Sequence, residues 1–227
     1  MQAVILAAGQ GKNLRPLTYH IPKPMIRLAG YNFIEWNLKN LPKEINEVVL
    51  VVGYLAEQII NHFGNEYNGI KIIYVKQKKQ LGTGHALQIC RSVLGDRFLV
   101  LMGDDIYSAR DIDKCLKHNL CLLANEISGK FIGGRIKLNS AGHLQEIKEG
   151  VHNRNISMVN TGLYILTKDI LNYNLESEKE NYNLPQTIVK LAQNKPIVIE
   201  KAYFWLQVND TATLKRAEKL LKRLNEK

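Results

Sequence analysis

The chain has 227 residues, of which 45% are hydrophobic and 23% are charged, and its formal net charge is +10. This length and composition are typical of one large globular domain and exclude a disordered or low-complexity protein. The apolar runs are far shorter than the roughly 20 residues of a membrane-spanning helix, so we expect no membrane partner. The start of the chain lacks the basic segment of a secretory signal, and we therefore predict a cytoplasmic protein.

The positive charge is concentrated in two segments, residues 76–79 and the last predicted helix. Acidic residues interrupt the basic ones in that helix, which is typical of a solvated face. Neither segment carries the interleaved aromatic side chains that stack on nucleic-acid bases. We therefore expect anionic small molecules as partners, and no nucleic acid.

The first half of the chain alternates predicted strands and helices. The strands are short apolar runs, and the helices carry apolar residues at intervals of three and four. The strands are predicted at residues 2–6, 47–52, 70–75 and 97–102, and the helices at 33–41, 54–63 and 84–93. This order predicts an α/β fold with a mostly parallel central sheet and helices on both faces.

The second half of the chain has a different pattern. Residues 130–138 and 143–148 are predicted to form a hairpin, residues 157–166 a strand, and residues 184–193 and 211–224 two helices. No linker rich in Pro, Gly or Ser separates the halves. We therefore predict a single domain, residues 1–227, with a nucleotide-binding half over about 1–110 and a mixed, sugar-binding half over about 111–227.

The loop after the first strand is the first candidate site. Residues 6–18 read LAAGQGKNLRPLT, and such small residues let a phosphate chain approach backbone N–H groups closely. The loop lacks the last glycine of the dinucleotide fingerprint and the Gly-Lys-Ser/Thr of a P-loop. Taken alone, it is equally compatible with an ordinary turn. The residues predicted to contact the nucleotide are Leu6, Ala8, Gly9 and Gly11.

Two carboxylates follow another buried strand. Asp104 and Asp105 come after Gly103, and the carboxyl ends of parallel strands share one edge of the sheet with the glycine loop. Carboxylate oxygens suit Mg²⁺, which shares its coordination with substrate phosphates. The alternatives are a plain turn at the strand end and, for Asp105, a cap on the following segment.

These segments, in their order along the chain, resemble the nucleoside-diphosphate-sugar pyrophosphorylases, which are sugar-1-phosphate nucleotidyltransferases. The loop is similar to the family signature AAGxGTRLxPLT, and residues 22–25 match its PKPM. Residues 77–86, QKKQLGTGHA, resemble the QxxxLGTGHA of N-acetylglucosamine-1-phosphate uridylyltransferases, and glucose-1-phosphate thymidylyl- and uridylyltransferases are also similar. The resemblance implies a three-layer, Rossmann-like (GT-A-like) fold with a smaller mixed sugar-binding lobe.

The resemblance also implies roles in nucleotide binding. In that family the glycine loop wraps the triphosphate, Lys23 contacts phosphate, and Gln77, Gly82 and Thr83 read the uracil. An amide side chain offers a donor and an acceptor together, as an imide edge requires. Thr83 could also cap the helix that follows it, and we expect His85 to be structural.

The metal site is implied in the same way. By resemblance Asp104 holds Mg²⁺, and an oxygen from residues 205–210 completes its coordination. Asn209 matches the amide variant of the family, although Gln207 could take this place. Asn209 is also a candidate N-cap for the last helix, and Asp210 is the other.

The sugar-binding residues implied by the resemblance lie in the second half. Gly134, Glu149, Asn160 and Thr161 match positions that surround the sugar in uridylyltransferases. Other relatives carry Glu-Lys-Pro near Glu149, where the lysine grips the sugar phosphate. That lysine is absent here unless Lys148 substitutes for it.

One position departs from the family pattern. Relatives have Thr-Arg where this chain has Lys12 and Asn13, and that arginine stabilises the leaving pyrophosphate. We expect Lys12 or Arg15 to replace it and to act in catalysis with Lys23 and Asp104.

The predicted reaction joins a nucleoside triphosphate, UTP in preference to dTTP or CTP, to a sugar 1-phosphate, with Mg²⁺ as cofactor. The alternative is a catalytically impaired nucleotide-sugar-binding subunit. The sequence leaves open the sugar and the oligomeric state, a homo-oligomer included.

Overall fold

The computed structural model describes residues 1–173 and 182–225. The strands are β1 Gln2–Ala7, β2 Arg27–Leu28, β3 Tyr31–Asn32, β4 Glu47–Val52, β5 Glu66–Tyr67, β6 Ile70–Lys76, β7 Arg97–Met102, β8 Asp105–Tyr107, β9 Cys121–Ile132, β10 Arg135–Leu138, β11 Leu144–Lys148, β12 Val151–Thr167, β13 Val198–Lys201 and β14 Trp205–Gln207. The helices are α1 Phe33–Asn40, α2 Ala56–Phe63, α3 Thr83–Gln88, α4 Ala109–Leu116, α5 Leu184–Ala192 and α6 Thr211–Asn225. Short 3-10 turns include Lys12–Leu14 and Lys23–Met25.

The main sheet has a parallel centre and an antiparallel flank. β1 lies between β4 and β7 and is parallel to both, with Val4 in register with Val49 and Val100. β6 continues the parallel part beyond β4. On the other side β12 runs antiparallel to β7 and β9, and the β10–β11 hairpin joins β12 where Arg135 lies opposite Val159.

Helices cover both faces of this sheet. Alternate residues of a strand point to opposite faces, so Val4 belongs to a core shared with α3 and α5. Ile5 belongs to the core that includes residues of α1, α2 and α4. Because both faces are covered, the central strands are almost continuously apolar. The predicted three-layer α/β fold is therefore confirmed.

The predicted elements are present, with three corrections of their extent. The strand predicted over residues 157–166 begins earlier, since β12 spans Val151–Thr167 and its first residues pair with the end of β9. The strand predicted over residues 130–138 is broken, since β9 ends at Ile132 and β10 begins at Arg135. Gly133 between them has a φ of +155°, a value that a strand does not continue through. The helix predicted over residues 84–93 ends at Gln88, where hydrogen bonds of three-residue spacing, such as Cys90 N–H to Leu87 O at 3.0 Å, replace the helical ones.

Four strands or helices of the second half were not predicted, namely α4, most of β9, β13 and β14. In the described ranges, no helix combines the length and apolar character that crossing a membrane requires. The division of the chain into a nucleotide half and a sugar half stays a prediction.

Candidate active site

The carboxyl ends of the parallel strands open into a cavity of about 500 Å³. Its lining combines residues from each motif that was predicted to bind the nucleotide. They are Leu6, Ala8, Gly9, Gly11, Lys12, Asn13, Lys23, Gln77, Gly82, Thr83, Asp104 and Asn209. The fold therefore brings the glycine loop, the QxxxLGTGHA block and the strand-end carboxylate together.

Gly11 shapes the loop at the floor of the cavity. Its φ of +60° is a conformation that side chains rarely adopt, and a Cβ there would lie 2.8 Å from Lys23 Cβ. The Gly11 carbonyl accepts hydrogen bonds from the Leu14 N–H at 3.0 Å and the Thr18 hydroxyl at 2.8 Å. A glycine is therefore required where the loop passes Lys23.

Lys23 and Asp104 form an ion pair in the cavity, with Nζ and Oδ2 2.6 Å apart. The Lys23 side chain is 11% exposed and that of Asp104 39% exposed. Gly103 permits this placement, because a Cβ there would lie 2.8 Å from the Leu6 carbonyl oxygen. The pair thus sets one mostly buried cation and one accessible carboxylate beside the glycine loop.

Asp105 faces away from the accessible part of the site. It is 4% exposed, and its Oδ2 accepts a hydrogen bond from the Trp205 indole N–H at 3.0 Å. Burial, and then the neighbouring Asp104 charge, raise the pKa of Asp105 well above its ordinary value. The possible capping role of Asp105 is wrong, since Ser108 caps α4 by accepting the Asp111 N–H. Asp105 instead holds β14 against β8.

The pairing of β14 with β8 places Asn209, which follows β14, in the lining of the cavity that Asp104 also lines. Its Nδ2 donates to Gln207 Oε1 at 2.9 Å, so the Asn209 amide oxygen is the atom available to a cation. Asp210 provides the cap of α6, because its Oδ1 accepts the Thr213 N–H at 2.7 Å. Of the two candidate caps, Asp210 takes the role and Asn209 does not.

Two oxygens, one from Asp104 and one from Asn209, are what this chain offers a metal ion here. Among residues 1–173 and 182–225 no three His, Cys, Asp or Glu side chains cluster into a metal site. Mg²⁺ commonly binds through one or two protein oxygens, with water and substrate phosphates as its other ligands. The donor set therefore fits Mg²⁺ held together with a triphosphate.

Gln77 also lines the cavity, and it is 4% exposed. Its Nε2 donates to the Gly82 carbonyl at 3.0 Å and lies 2.9 Å from His85 Nδ1. The two hydrogens of the amide are thereby engaged, and the amide oxygen is left for a ligand. The predicted structural role of His85 is confirmed by its contact with Gln77.

Thr83 begins α3 without capping it, and the capping interpretation is wrong. The N-cap position belongs to Gly82, and no side chain caps this helix. The Thr83 hydroxyl accepts the Leu184 N–H at 2.9 Å, a contact between residues 101 positions apart.

The two candidates for the missing family arginine lie in different places. Lys12 lines the cavity beside Asn13. Arg15 is not part of the lining, and its guanidinium carbon lies 5.0 Å from the centre of the Tyr19 ring. The geometry therefore favours Lys12 as the replacement.

None of the residues predicted to bind the sugar is part of the cavity lining. Asn160 and Thr161 lie on β12, whereas Gly134 lies between β9 and β10 and Glu149 between β11 and β12. Gly134 is packed against Glu149, since a Cβ on it would lie 2.7 Å from Glu149 Oε1. The Asn160 N–H donates to the Gly134 carbonyl at 2.8 Å, which brings Gly134, Glu149 and Asn160 together. Burial raises the pKa of Glu149, partly opposed by His152.

Asn160 and Thr161 differ in what their side chains contact. The Asn160 amide donates to the Tyr164 hydroxyl at 2.7 Å, and its oxygen accepts the Gly162 N–H at 3.0 Å. Thr161 is 2% exposed, and its hydroxyl donates to the Leu123 carbonyl at 2.7 Å. Its side chain therefore belongs to the packing between β12 and β9.

Sequence reasoning did not single out Gln80 or Tyr164. Gln80 lines the cavity, and its position inside the QxxxLGTGHA block was the available signal. Tyr164 is a buried residue whose hydroxyl holds Asn160, and the alternation of its strand gave no sign of this contact.

Similarity to known proteins extends along nearly the whole chain. The sequence pattern of a family described as nucleotidyl transferase matches residues 2–222. The chain belongs to the nucleotidyl transferase family. The predicted family resemblance is thereby confirmed.

Several curated relatives of this nucleotidyl transferase family member are about one third identical to it. A bifunctional protein GlmU from Methanococcus maripaludis is 33% identical over 199 residues, which cover 86% of this chain and 47% of the relative. A UTP–glucose-1-phosphate uridylyltransferase, AglF, from Haloferax volcanii is 34% identical over 75% of this chain and 73% of its own length. A D-glycero-alpha-D-manno-heptose 1-phosphate guanylyltransferase from Campylobacter jejuni is 34% identical over 76% of this chain and 78% of its own length.

The chain spans about half the length of the GlmU relatives that it matches. A solved structure from Bacillus anthracis, provisionally described as a glucose-1-phosphate thymidylyltransferase, superposes with a TM-score of 0.85 at 20% identity. The superposition covers 98% of this chain and 96% of the other. It confirms the fold of this nucleotidyl transferase family member.

Proposed function

We propose that the protein transfers a nucleotidyl group from a nucleoside triphosphate, preferentially UTP, to a sugar 1-phosphate and releases pyrophosphate. The observation that carries this proposal is the Lys23–Asp104 pair beside the glycine loop, in one cavity with Gln77. Phosphates, a metal ion and a base each have a suitable group in this one cavity.

The triphosphate would lie along the glycine loop. Backbone N–H groups, the Lys12 ammonium and the Lys23 ammonium all lie on the cavity wall and can neutralise phosphate oxygens. The phosphate oxygen of the sugar then attacks the α-phosphorus in line, its bond to that phosphorus forms, and pyrophosphate leaves. This nucleophile is already ionised, so alignment and charge neutralisation account for catalysis without a general base.

Asp104 and Asn209 would hold Mg²⁺ by their side-chain oxygens. When bound, the ion supplies positive charge to the phosphate oxygens on which negative charge accumulates. Asp104 is 39% exposed and pairs with Lys23 at 2.6 Å, so it can exchange this contact for a cation while Lys23 turns to a phosphate. Proximity of Asn209 to the same cavity supports this assignment.

The part of this preference that separates UTP from CTP rests on Gln77. Its amide hydrogens are engaged by Gly82 and His85, and its oxygen is left as an acceptor. Uracil and thymine present a ring N–H between two carbonyls, and guanine also has a ring N–H, whereas cytosine has an acceptor at that ring nitrogen. The site therefore favours UTP over CTP.

The sugar would lie beside Gly134, Glu149 and Asn160. The Glu149 carboxylate can accept hydrogen bonds from sugar hydroxyls, and Asn160 has one amide hydrogen beyond the one that it gives to Tyr164. The Asn160 side chain is held by the Tyr164 hydroxyl and the Gly162 N–H, which is what selective recognition of a hydroxyl pattern requires.

A matrix of nucleoside triphosphates against sugar 1-phosphates, with Mg²⁺, tests the proposal through the pyrophosphate released. We expect release that requires both substrates and is highest with UTP, and Asp104→Asn serves as the control with the site disabled. Binding of UTP without release from any pair would instead identify the impaired, nucleotide-sugar-binding subunit. Asn13, in place of the family arginine on the cavity wall, is the feature that favours this second candidate.

A further inference from the structure

The turn formed by residues 81–84, here called the base turn, is attached to a distant part of the chain. The Tyr182 N–H donates to the Leu81 carbonyl at 2.8 Å, and the Gly84 N–H donates to the Tyr182 carbonyl at 2.7 Å. The Leu184 N–H donates to the Thr83 hydroxyl at 2.9 Å. These backbone groups of Tyr182 and Leu184, here called the latch, hold the base turn by three hydrogen bonds.

The latch does not line the cavity, whereas Gly82 and Thr83 of the base turn do. The turn has little support of its own, because α3 has six residues and no side-chain cap. Gly82 has a φ of +94°, and its carbonyl is the acceptor for Gln77 Nε2. The position of the turn therefore sets the position of the Gln77 amide as well.

The latch itself is anchored in the protein core. Leu184, Ile188 and Leu191 of α5 are buried in the core cluster that includes Leu144 and Ile147 of β11. Pro185 stands in the first turn of α5, where its fixed backbone angle favours the helix. Because close-packed cores deform little, α5 fixes the position of the latch. The latch in turn fixes the position of the base turn.

We propose that the latch is a positioning element for base recognition. It fixes Gly82 and Thr83 directly, and Gln77 through the Gly82 carbonyl. This inference rests on the proposed function, in which those residues contact the base. Loosening the latch should raise KM for UTP and lower the preference for UTP over CTP, while KM for the sugar 1-phosphate stays unchanged.

Tyr182→Pro tests the latch because proline lacks the backbone N–H that donates a hydrogen bond to the Leu81 carbonyl. We expect KM for UTP to rise on the order of threefold to tenfold, as for one lost hydrogen bond, with a smaller UTP-to-CTP ratio. Asn183→Pro is the matched control, since Asn183 has a φ of −83° and its N–H donates to no group in the described chain. Tyr182→Ala controls for the side chain. Equal KM values for UTP in Tyr182→Pro and Asn183→Pro would overturn the proposal. An equal rise of the KM for UTP and the KM for the sugar 1-phosphate in Tyr182→Pro would overturn it as well.

Amide hydrogen exchange in the wild-type protein covers the case in which Tyr182→Pro does not fold. Saturating UTP should slow exchange at Tyr182 and Leu184, which lie outside the cavity, and leave Asn183 unchanged. Unaltered exchange at Tyr182 and Leu184 overturns the latch. If the wild-type protein neither binds UTP nor releases pyrophosphate, the proposed function fails and the latch with it. If the wild-type enzyme is active and the two proline variants behave alike, the latch alone fails.

Discussion

Two buried or half-buried ion pairs of similar length have opposite surroundings. Lys23 Nζ lies 2.6 Å from Asp104 Oδ2, and His62 Nε2 lies 2.8 Å from Glu35 Oε1. The Glu35 side chain is 9% exposed and also accepts the Asn32 N–H at 2.7 Å and the Tyr67 hydroxyl at 3.3 Å. In the described residues, Asp104 accepts a hydrogen bond from Lys23 alone.

This difference indicates that the Lys23–Asp104 pair is available for ligand binding, whereas the His62–Glu35 pair stabilises the fold. A carboxylate with unused oxygen acceptors and access to a cavity can bind a cation or a substrate. A carboxylate whose oxygens are occupied by the protein contributes to stability. Asp104 and Glu35 should therefore respond in opposite ways to the loss of their charge.

The largest expected effect is on turnover, at the cavity pair. Asp104→Asn should lower kcat by roughly a hundredfold to a thousandfold, the size expected for removing one group that stabilises transition-state charge. Its thermal unfolding should stay close to that of the wild type, because Asp104 is accessible to solvent. Pyrophosphate release and calorimetry measure the two quantities. If Asp104→Asn unfolded at a clearly lower temperature and kept its kcat per folded molecule, Asp104 would be a structural residue and this prediction would be wrong.

The next effect concerns which cation replaces the family arginine. Lys12→Ala should lower kcat by about tenfold to a hundredfold, since Lys12 lines the cavity and can donate a charged hydrogen bond to phosphate. Lys78→Ala is the matched control, because Lys78 is exposed and is not part of the lining. Equal losses in the two variants would refute the replacement.

At the structural pair, Glu35→Gln should lower the free energy of unfolding by about 1–3 kcal/mol, the usual cost of breaking a buried charged hydrogen-bond set. Turnover should be unchanged. Glu57→Gln provides the comparison, since Glu57 is 68% exposed and pairs with Lys76 at the surface, where such a pair contributes at most about 1 kcal/mol. Urea unfolding of both variants gives the loss of unfolding free energy for each one. Equal losses in Glu35→Gln and Glu57→Gln would mean that the burial of Glu35 does not increase its contribution to stability.

The smallest effect is the pH dependence of the difference in unfolding free energy between the wild type and Glu35→Gln. Burial alone would raise the pKa of Glu35, but the Asn32 N–H and the His62 contact outweigh it, and the pKa lies below its ordinary value of 4.5. A lowered pKa in the folded state means that the ionised form is stabilised above that value and that its contribution is lost as pH falls through the folded pKa. The stability gap between wild type and Glu35→Gln should thus narrow below about pH 4.5. A gap that widens on acidification would contradict the lowered pKa.

The positions of motifs that directly follow parallel strands could be predicted from the sequence. After their first residues, Gln2 and Arg97, β1 and β7 are apolar because both faces of the sheet are covered, and parallel strands bring their ends to one edge. Hence the glycine loop and Asp104 were expected to meet, and they do.

Contacts between distant parts of the chain could not be predicted. Thr83 accepts from Leu184, which lies 101 positions further on, and local patterning gives no sign of such a partner. The choice between Asn209 and Asp210 as a helix cap could not be predicted either, since both residue types suit that position. Arg15 faces Tyr19 for a similar reason, because the direction of a loop side chain follows from the folded loop.

The most direct measurement of the central claim is a crystal structure of the protein grown with UTP and magnesium. The account predicts the triphosphate along the amides of Gly9 and Gly11, the ion on Asp104 and the uracil against the Gln77 oxygen. An empty cavity, or an ion bound away from Asp104, would contradict it.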